Sequence, residues 1–454
     1  MFDITIKNGT VIDTIHLTKS ILNIGIQEGK IQYIGNNNIV GIYDIDGTNK
    51  IISPGFIDVH GHIDGYDYAG ELATCQGITT TIGGNCGLSP IDMKEFFLGQ
   101  EANGFYINQA ELIGHSFSLR KKVGITDNYQ KASDDQIRQM EELTEQALIE
   151  GACGISFGLD YSPGASLKEI TALARICAKY NKIMAIHTRL FTEYDLYSLY
   201  EVLSIAKETG VKILFSHFIY QYGNGAMEAA LETIERAMEQ GFDIHIDSGM
   251  YTDWATFIST ETFSEQTIKD NGYVLGDMIV ATGKYIGQCL TKELYTLLRQ
   301  DYPWESVICF NGREKDIYLA LEKKYAMPST DIGQYSRGEG HPQIAGTFPK
   351  YLIEMVRNKK ILTIEEAIRK ATILPATVFG LKGKGVIEVG ADADIVVFDF
   401  DKLEDLATFP HLGKPDAKPK GIEFVIINGK LVVKMGQFTE EKAGHIIKEE
   451  KTTC

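Results

Sequence analysis

The chain has 454 residues, 44% hydrophobic and 23% charged, a globular composition with material for one large α/β domain and a smaller one. A net charge of −17 and a pI near 5.1 exclude the basic face that a nucleic-acid partner requires. No basic-then-apolar leader follows Met1 and no apolar run is long enough to span a bilayer, so a cytoplasmic protein without a membrane partner is expected.

In chain order, Phe2-Asp3-Ile4-Thr5-Ile6-Lys7-Asn8-Gly9-Thr10-Val11-Ile12 alternates and reads as two short strands around Asn-Gly. Residues 21–26 and 30–34 read as two more strands, turning at Glu28-Gly29. An apolar run from Ile51 then ends abruptly in His60-Gly61-His62. In an extended chain residues i and i+2 point to one side, so the two imidazoles suit adjacent bonds to one metal ion.

From there strand and helix alternate. Residues 79–82 and 111–115 read as strands, and 134–150 as a helix started by Ser133. Residues 154–157 form a strand, 166–180 a helix, 182–186 a strand ending at His187, and 196–209 a helix. Residues 211–215 form a strand ending at Ser216-His217, 226–240 a helix, and 242–246 a strand ending at Asp247. A helix over 313–324 leads through residues 325–327 to Asp331. About eight such units imply a parallel sheet closed into a TIM-like (β/α)8 barrel. Residues 252–305 fit no single unit and are expected to lie over the barrel mouth.

The C-terminal part echoes the N-terminal one, with strands at 386–389, 393–398, 424–427 and 431–433 and a turn at Asn428-Gly429. The two ends are therefore expected to meet in a small β-sandwich domain, 1–50 with 383–447, beside a barrel domain at 51–382. The charged tail from Lys448 is expected to fray.

Barrel chemistry sits at the C-terminal ends of the strands. The residues found just past those ends are His60, His62, Cys86, His187, His217 and Asp331. Imidazoles, a thiol and a carboxylate are the mixture that suits zinc. The other cysteines, Cys75, Cys153, Cys177, Cys289, Cys309 and Cys454, are irregularly spaced and read as reduced thiols. Cys86, in Gly83-Gly84-Asn85-Cys86-Gly87, is the exception: a metal would bind it as thiolate, and a thiolate can bridge two ions.

These blocks resemble the N-acyl-D-amino-acid deacylase (D-aminoacylase) family of the amidohydrolase superfamily. Pro54-Gly55-Phe56-Ile57-Asp58-Val59-His60-Gly61-His62 is similar to the superfamily's first-strand motif. The stretch from Gly77 to Cys86-Gly87 is similar to the more specific deacylase signature. His187-Thr188-Arg189 and His341-Pro342, continuing to Gly346-Thr347-Phe348-Pro349, also resemble family blocks. The resemblance implies a zinc-dependent enzyme that removes the acyl group from N-acyl-D-amino acids by attack of metal-activated water. It implies that Cys86, His187 and His217 hold a tight zinc, and that His60, His62 and Cys86 form a weaker second position. It implies that Asp331 is general base and then general acid. Gln343 departs from the arginine that relatives commonly carry, and Thr330 from their serine.

A substrate with an α-carboxylate wants a cation, for which Arg337, Arg120 and Arg189 are candidates. Tyr251 and Tyr161 are candidate hydrogen-bond donors. The partner expected is a small N-acyl amino acid; the oligomeric state is left open. The competing readings are a cyclic-amide hydrolase of the hydantoinase or dihydropyrimidinase kind, and a non-catalytic metal-binding scaffold on the same barrel.

Overall fold

The computed structural model describes residues 1–189 and 196–448. Eight parallel strands run in chain order around the barrel: Phe56–Asp58, Ile78–Gly83, Asn108–Gly114, Gly154–Gly158, Ile183–His187, Lys212–Phe215, Ile244–Ser248 and Ala326–Pro328. The last meets the first beyond the strand ends. There Asp331 N donates to His60 O at 2.8 Å, and His62 N donates to Ile332 O at 2.8 Å. The bonds that close the cylinder thus join the two loops that carry the expected site residues.

Alternation sorts the side chains. Ile183 and Ala185 point inward with Leu112 and Leu214, whereas Met184 and Ile186 pack outward against the helices. The same period turns His187 inward at the rim. At the opposite end, the helix Ile373–Phe379 packs Ala376 and Phe379 against the strand-start residues Cys153 and Ile183. Helices begin where the sequence says: Ser133 and Ser166 each form a reciprocal capping box, with Gln136 and Glu169.

The termini build one nine-stranded hydrogen-bonded sheet, whose arms enclose a common core of Ile6, Ile24, Ile26, Ile52, Ile395, Val397 and Ile426. Three details differ from expectation. First, Phe2–Asp13 is a single strand, because Asn8, in the left-handed region at φ 59°, makes a bulge between Ile6 and Gly9 instead of a hairpin. Second, residues 386–389 form no strand; Val386 and Ile387 only pack half-buried against the core. Third, the run after Lys50 divides at Gly55. Ile51–Pro54 pairs with Thr10-Val11 and with Ile395–Phe398 in the terminal sheet, and Phe56 starts the barrel. Gly55 is needed at this crossing, since a Cβ there would lie 2.1 Å from Thr79 Oγ1.

The insertion has its own three-stranded sheet, Trp254–Phe257, Met278–Val280 and Ser306–Cys309, and its own core around Phe263, Leu290, Tyr295 and Leu298. It therefore runs a few residues past 305. Among the described residues, no helix is long and apolar enough to cross a membrane. The expected frayed tail beyond Lys448 lies outside the described residues.

Candidate metal centre at the barrel rim

The residue types at the strand ends converge. Cys86 Sγ lies 3.3 Å from His60 Nε2, 3.5 Å from His217 Nε2 and 3.8 Å from His187 Nδ1. Asp331 Oδ1 lies 3.3 Å from His62 Nε2 and 3.6 Å from His60 Nε2. Two overlapping groups result, His60 with Cys86 and His217, and His60 with His62 and Asp331. His60 is common to both.

Local backbone features aim each group. His60 and His62 stand beyond the first barrel strand rather than on it, because Asp58 turns the chain: its Oδ1 accepts from His60 N at 3.2 Å and from Thr330 N at 3.0 Å. Cys86 occupies a tight turn over Asn85–Gly87 at φ 52°, held by Asn85 Nδ2 donating to Ile82 O at 2.9 Å. Glycine is required on both sides. A Cβ on Gly84 would meet Leu112 O at 2.1 Å, and one on Gly87 would meet Ser116 N at 2.5 Å. His217 is left-handed at φ 32° and Asp331 at φ 52°.

A buried carboxylate, Asp247, orders the imidazoles. Its Oδ1 accepts from His217 N at 2.8 Å and from Ser329 Oγ at 2.6 Å, and its Oδ2 sits 3.4 Å from His60 Nδ1. Asp160 Oδ2 stands 3.4 Å from His187 Nε2. The carboxylates behind the His60 and His187 rings fix the proton on the far nitrogen, leaving the near one to bind. Asp247 obeys the strand-end rule that found the other residues and could have been read the same way. Tyr220 could have been found three residues after His217, on the next helical turn.

The electrostatics are those of a cation site. Burial is the strongest influence on the Cys86 thiol and opposes its ionisation, yet the His60 and His217 imidazoles outweigh it and hold the thiol well below its usual range. Burial likewise opposes ionisation of Asp331, and His62, His60 and His217 together hold its carboxyl below the ordinary value. His187 Nδ1 and His217 Nε2 face each other at 2.9 Å, where two lone pairs would repel unless a cation lay near. The Nδ1 atoms of His62 and His217 are buried without a partner. The donor chemistry therefore fits a bound transition-metal ion.

A cavity opens above this cluster. The barrel contributes Asp160, Tyr161, His187, His217, Tyr220, Gln221 and Asp331 to it. The insertion roofs it with Trp254, Ala255, Thr256, Thr262 and Tyr273. Of the residues expected to bind substrate, only Tyr161 lines this cavity, with its hydroxyl 3.4 Å from Thr256 Oγ1. Arg337 turns outward, pairs with Glu71 at 2.8 Å and stacks over Tyr68. Arg120 is buried against Glu169 at 2.6 Å, and Arg189 is tied to Glu201 at 3.0 Å. Tyr251 donates to Asp405 at 2.8 Å, its ring edge-on to His341. Opposite charges and acceptors nearer than the cavity have taken these four.

A closed (β/α)8 barrel with imidazoles, a thiol and a carboxylate gathered at its C-terminal rim defines a metal-dependent hydrolase. The model of the amidohydrolase family matches residues 51–432. The chain belongs to that family, and within it to the D-aminoacylase branch. It is 32% identical to the N-acyl-D-glutamate deacylase of Alcaligenes xylosoxydans xylosoxydans, over 94% of this chain and 93% of that one. It is 29% identical to the D-aminoacylase of the same organism, over 98% and 97%. Among solved structures it is similar to the N-acyl-D-glutamate deacylase of Bordetella bronchiseptica, complexed with zinc and a phosphonate inhibitor, with a TM-score of 0.89 and 28% identity over 98% of this chain and 99% of that one.

Proposed function

We propose that this enzyme hydrolyses the acyl–nitrogen bond of N-acylated D-amino acids, using zinc held at the barrel rim. The observation that carries the reading is the approach of Cys86 Sγ to three imidazoles, with Asp331 beside His60 and His62. Cys86, His187 and His217 would hold a tight ion. His60, His62 and Cys86 would hold a weaker one. When bound, zinc lowers the pKa of water towards about 7 and polarises a carbonyl.

The chain's own groups do the rest. Asp331, ionised among imidazoles, accepts a proton from the attacking water and returns it to the leaving amine nitrogen. Gln343 holds Asp331 in place, its Nε2 donating to Asp331 O at 2.7 Å. Asp247 and Asp160 keep the His60 and His187 imidazoles in one tautomer and orientation. The insertion's Trp254 and Tyr273 exclude bulk water above the reacting bond. The products are a carboxylic acid and a free amine.

The test is a panel of N-acetylated D- and L-residues, as acids and as amides, beside hydantoins and dihydropyrimidines, with metal analysis of the same sample. Cleavage of linear D-substrates by zinc-loaded enzyme is expected. Turnover confined to the cyclic amides, or full activity without metal, would overturn the reading.

A further inference from the structure

A free amino-acid carboxylate entering a water-excluded cavity needs a cation or several N–H donors. The cavity's charged side chains, imidazoles aside, are Asp160 and Asp331, both acidic; among the described residues no lysine or arginine lines it. Arg337, Arg120 and Arg189 are engaged elsewhere, and Lys350 lies 3.7 Å over the Tyr251 ring outside the lining. Residues 190–195, Leu-Phe-Thr-Glu-Tyr-Asp, contain no basic side chain either.

The hydrogen-bond polarity of Tyr220, on the wall beside Asp331, is set by one buried amide. Asp331 O can only accept, so the Gln343 atom facing it at 2.7 Å must be Nε2. The other end of that amide is therefore Oε1, which receives the Tyr220 hydroxyl proton at 2.7 Å. With its proton committed, Tyr220 offers the cavity only lone pairs. On this side of the cavity Tyr220 oxygen, Asp160 and Asp331 present hydrogen-bond acceptors and no lysine or arginine to a ligand.

We propose that the preferred substrates are N-acyl-D-amino acids whose carboxyl is itself an amide, as a carboxamide or a following peptide bond, with Tyr220 accepting from that amide's N–H. Gln343 is the positioning residue that sets this polarity. The inference rests on the deacylase reading and narrows it.

The experiment compares kcat/KM of the zinc-loaded full chain on matched pairs, N-acetyl-D-alanine, -leucine and -phenylalanine against their carboxamides. The amides are expected to be favoured at least about tenfold, the scale of one well-placed hydrogen bond gained where a free carboxylate would find no lysine or arginine. Gln343→Arg, which places a guanidinium beside Tyr220, should shift the ratio towards the acids. Tyr220→Phe should narrow it severalfold. Acids equal to or better than amides with the unaltered enzyme would overturn the proposal and leave the deacylase reading standing. Hydrolysis of neither by metal-loaded enzyme would overturn the deacylase reading itself.

Discussion

The barrel rim and the terminal sheet use the same rare backbone conformation to different ends. In the sheet, left-handed residues fall at bulges and turns: Asn8 at φ 59°, Glu28 at 53°, Asn428 at 48° and Met435 at 50°, the last three each followed by a left-handed glycine. Where such a side chain is used its part is structural: Asn428 Nδ2 donates to Asn108 Oδ1 at 2.7 Å and to Ala443 O at 2.8 Å. At the rim the conformation falls on Cys86 at φ 52°, His217 at 32° and Asp331 at 52°. Each costs on the order of 1–2 kcal/mol that glycine would not. The chain keeps these side chains because the conformation swings them from the strand ends into one cluster. The sheet is shaped for stability and the rim for chemistry, with the barrel core supplying what the rim forfeits.

Substitutions should separate the two regions. The largest effect is expected from Asp331→Asn: kcat falls about a thousandfold, the scale of a lost general base, while zinc content by elemental analysis stays near that of the unaltered enzyme. Undiminished turnover would remove the proton-transfer role and blur the contrast. In the terminal sheet, Ile426→Ala empties a fully buried position and should cost about 2–5 kcal/mol in denaturant unfolding. Its kcat per folded molecule should be unchanged; a drop would mean that the sheet governs the rim. Smaller still, Asp247→Asn leaves the rim folded but loosens the His60 ring and the backbone at His217, and should weaken zinc binding about 10–100-fold in a chelator competition. Unaltered affinity would mean that both are held without it.

Legibility in the sequence divides along the same line. Periodicity marked the barrel strands and helices because their apolar faces repeat every two or about 3.6 residues, and Ser133 and Ser166 gave the helix starts nearly to the residue. The strand-end rule placed His60, His62, Cys86, His187, His217 and Asp331 near one another because a closed parallel barrel sends all its strand ends to one rim. Arg337, Arg120 and Arg189 were misplaced because the direction of a long side chain depends on which carboxylate is nearer. Glu71, Glu169 and Glu201 are distant enough along the chain, or plain enough in type, to give no signal. The bulge at Asn8 was read as a turn because Asn-Gly favours both, and only pairing with the neighbouring strands decides between them.

The account depends most on Cys86 binding the same ion as the histidines. X-ray absorption at the zinc edge of the metal-loaded protein measures this directly. A sulfur neighbour near about 2.3 Å together with nitrogen or oxygen neighbours near about 2.0 Å is expected, and the sulfur signal should vanish in Cys86→Ser. A shell of nitrogen and oxygen alone in the unaltered protein, or a sulfur signal that survives the substitution, would contradict the account.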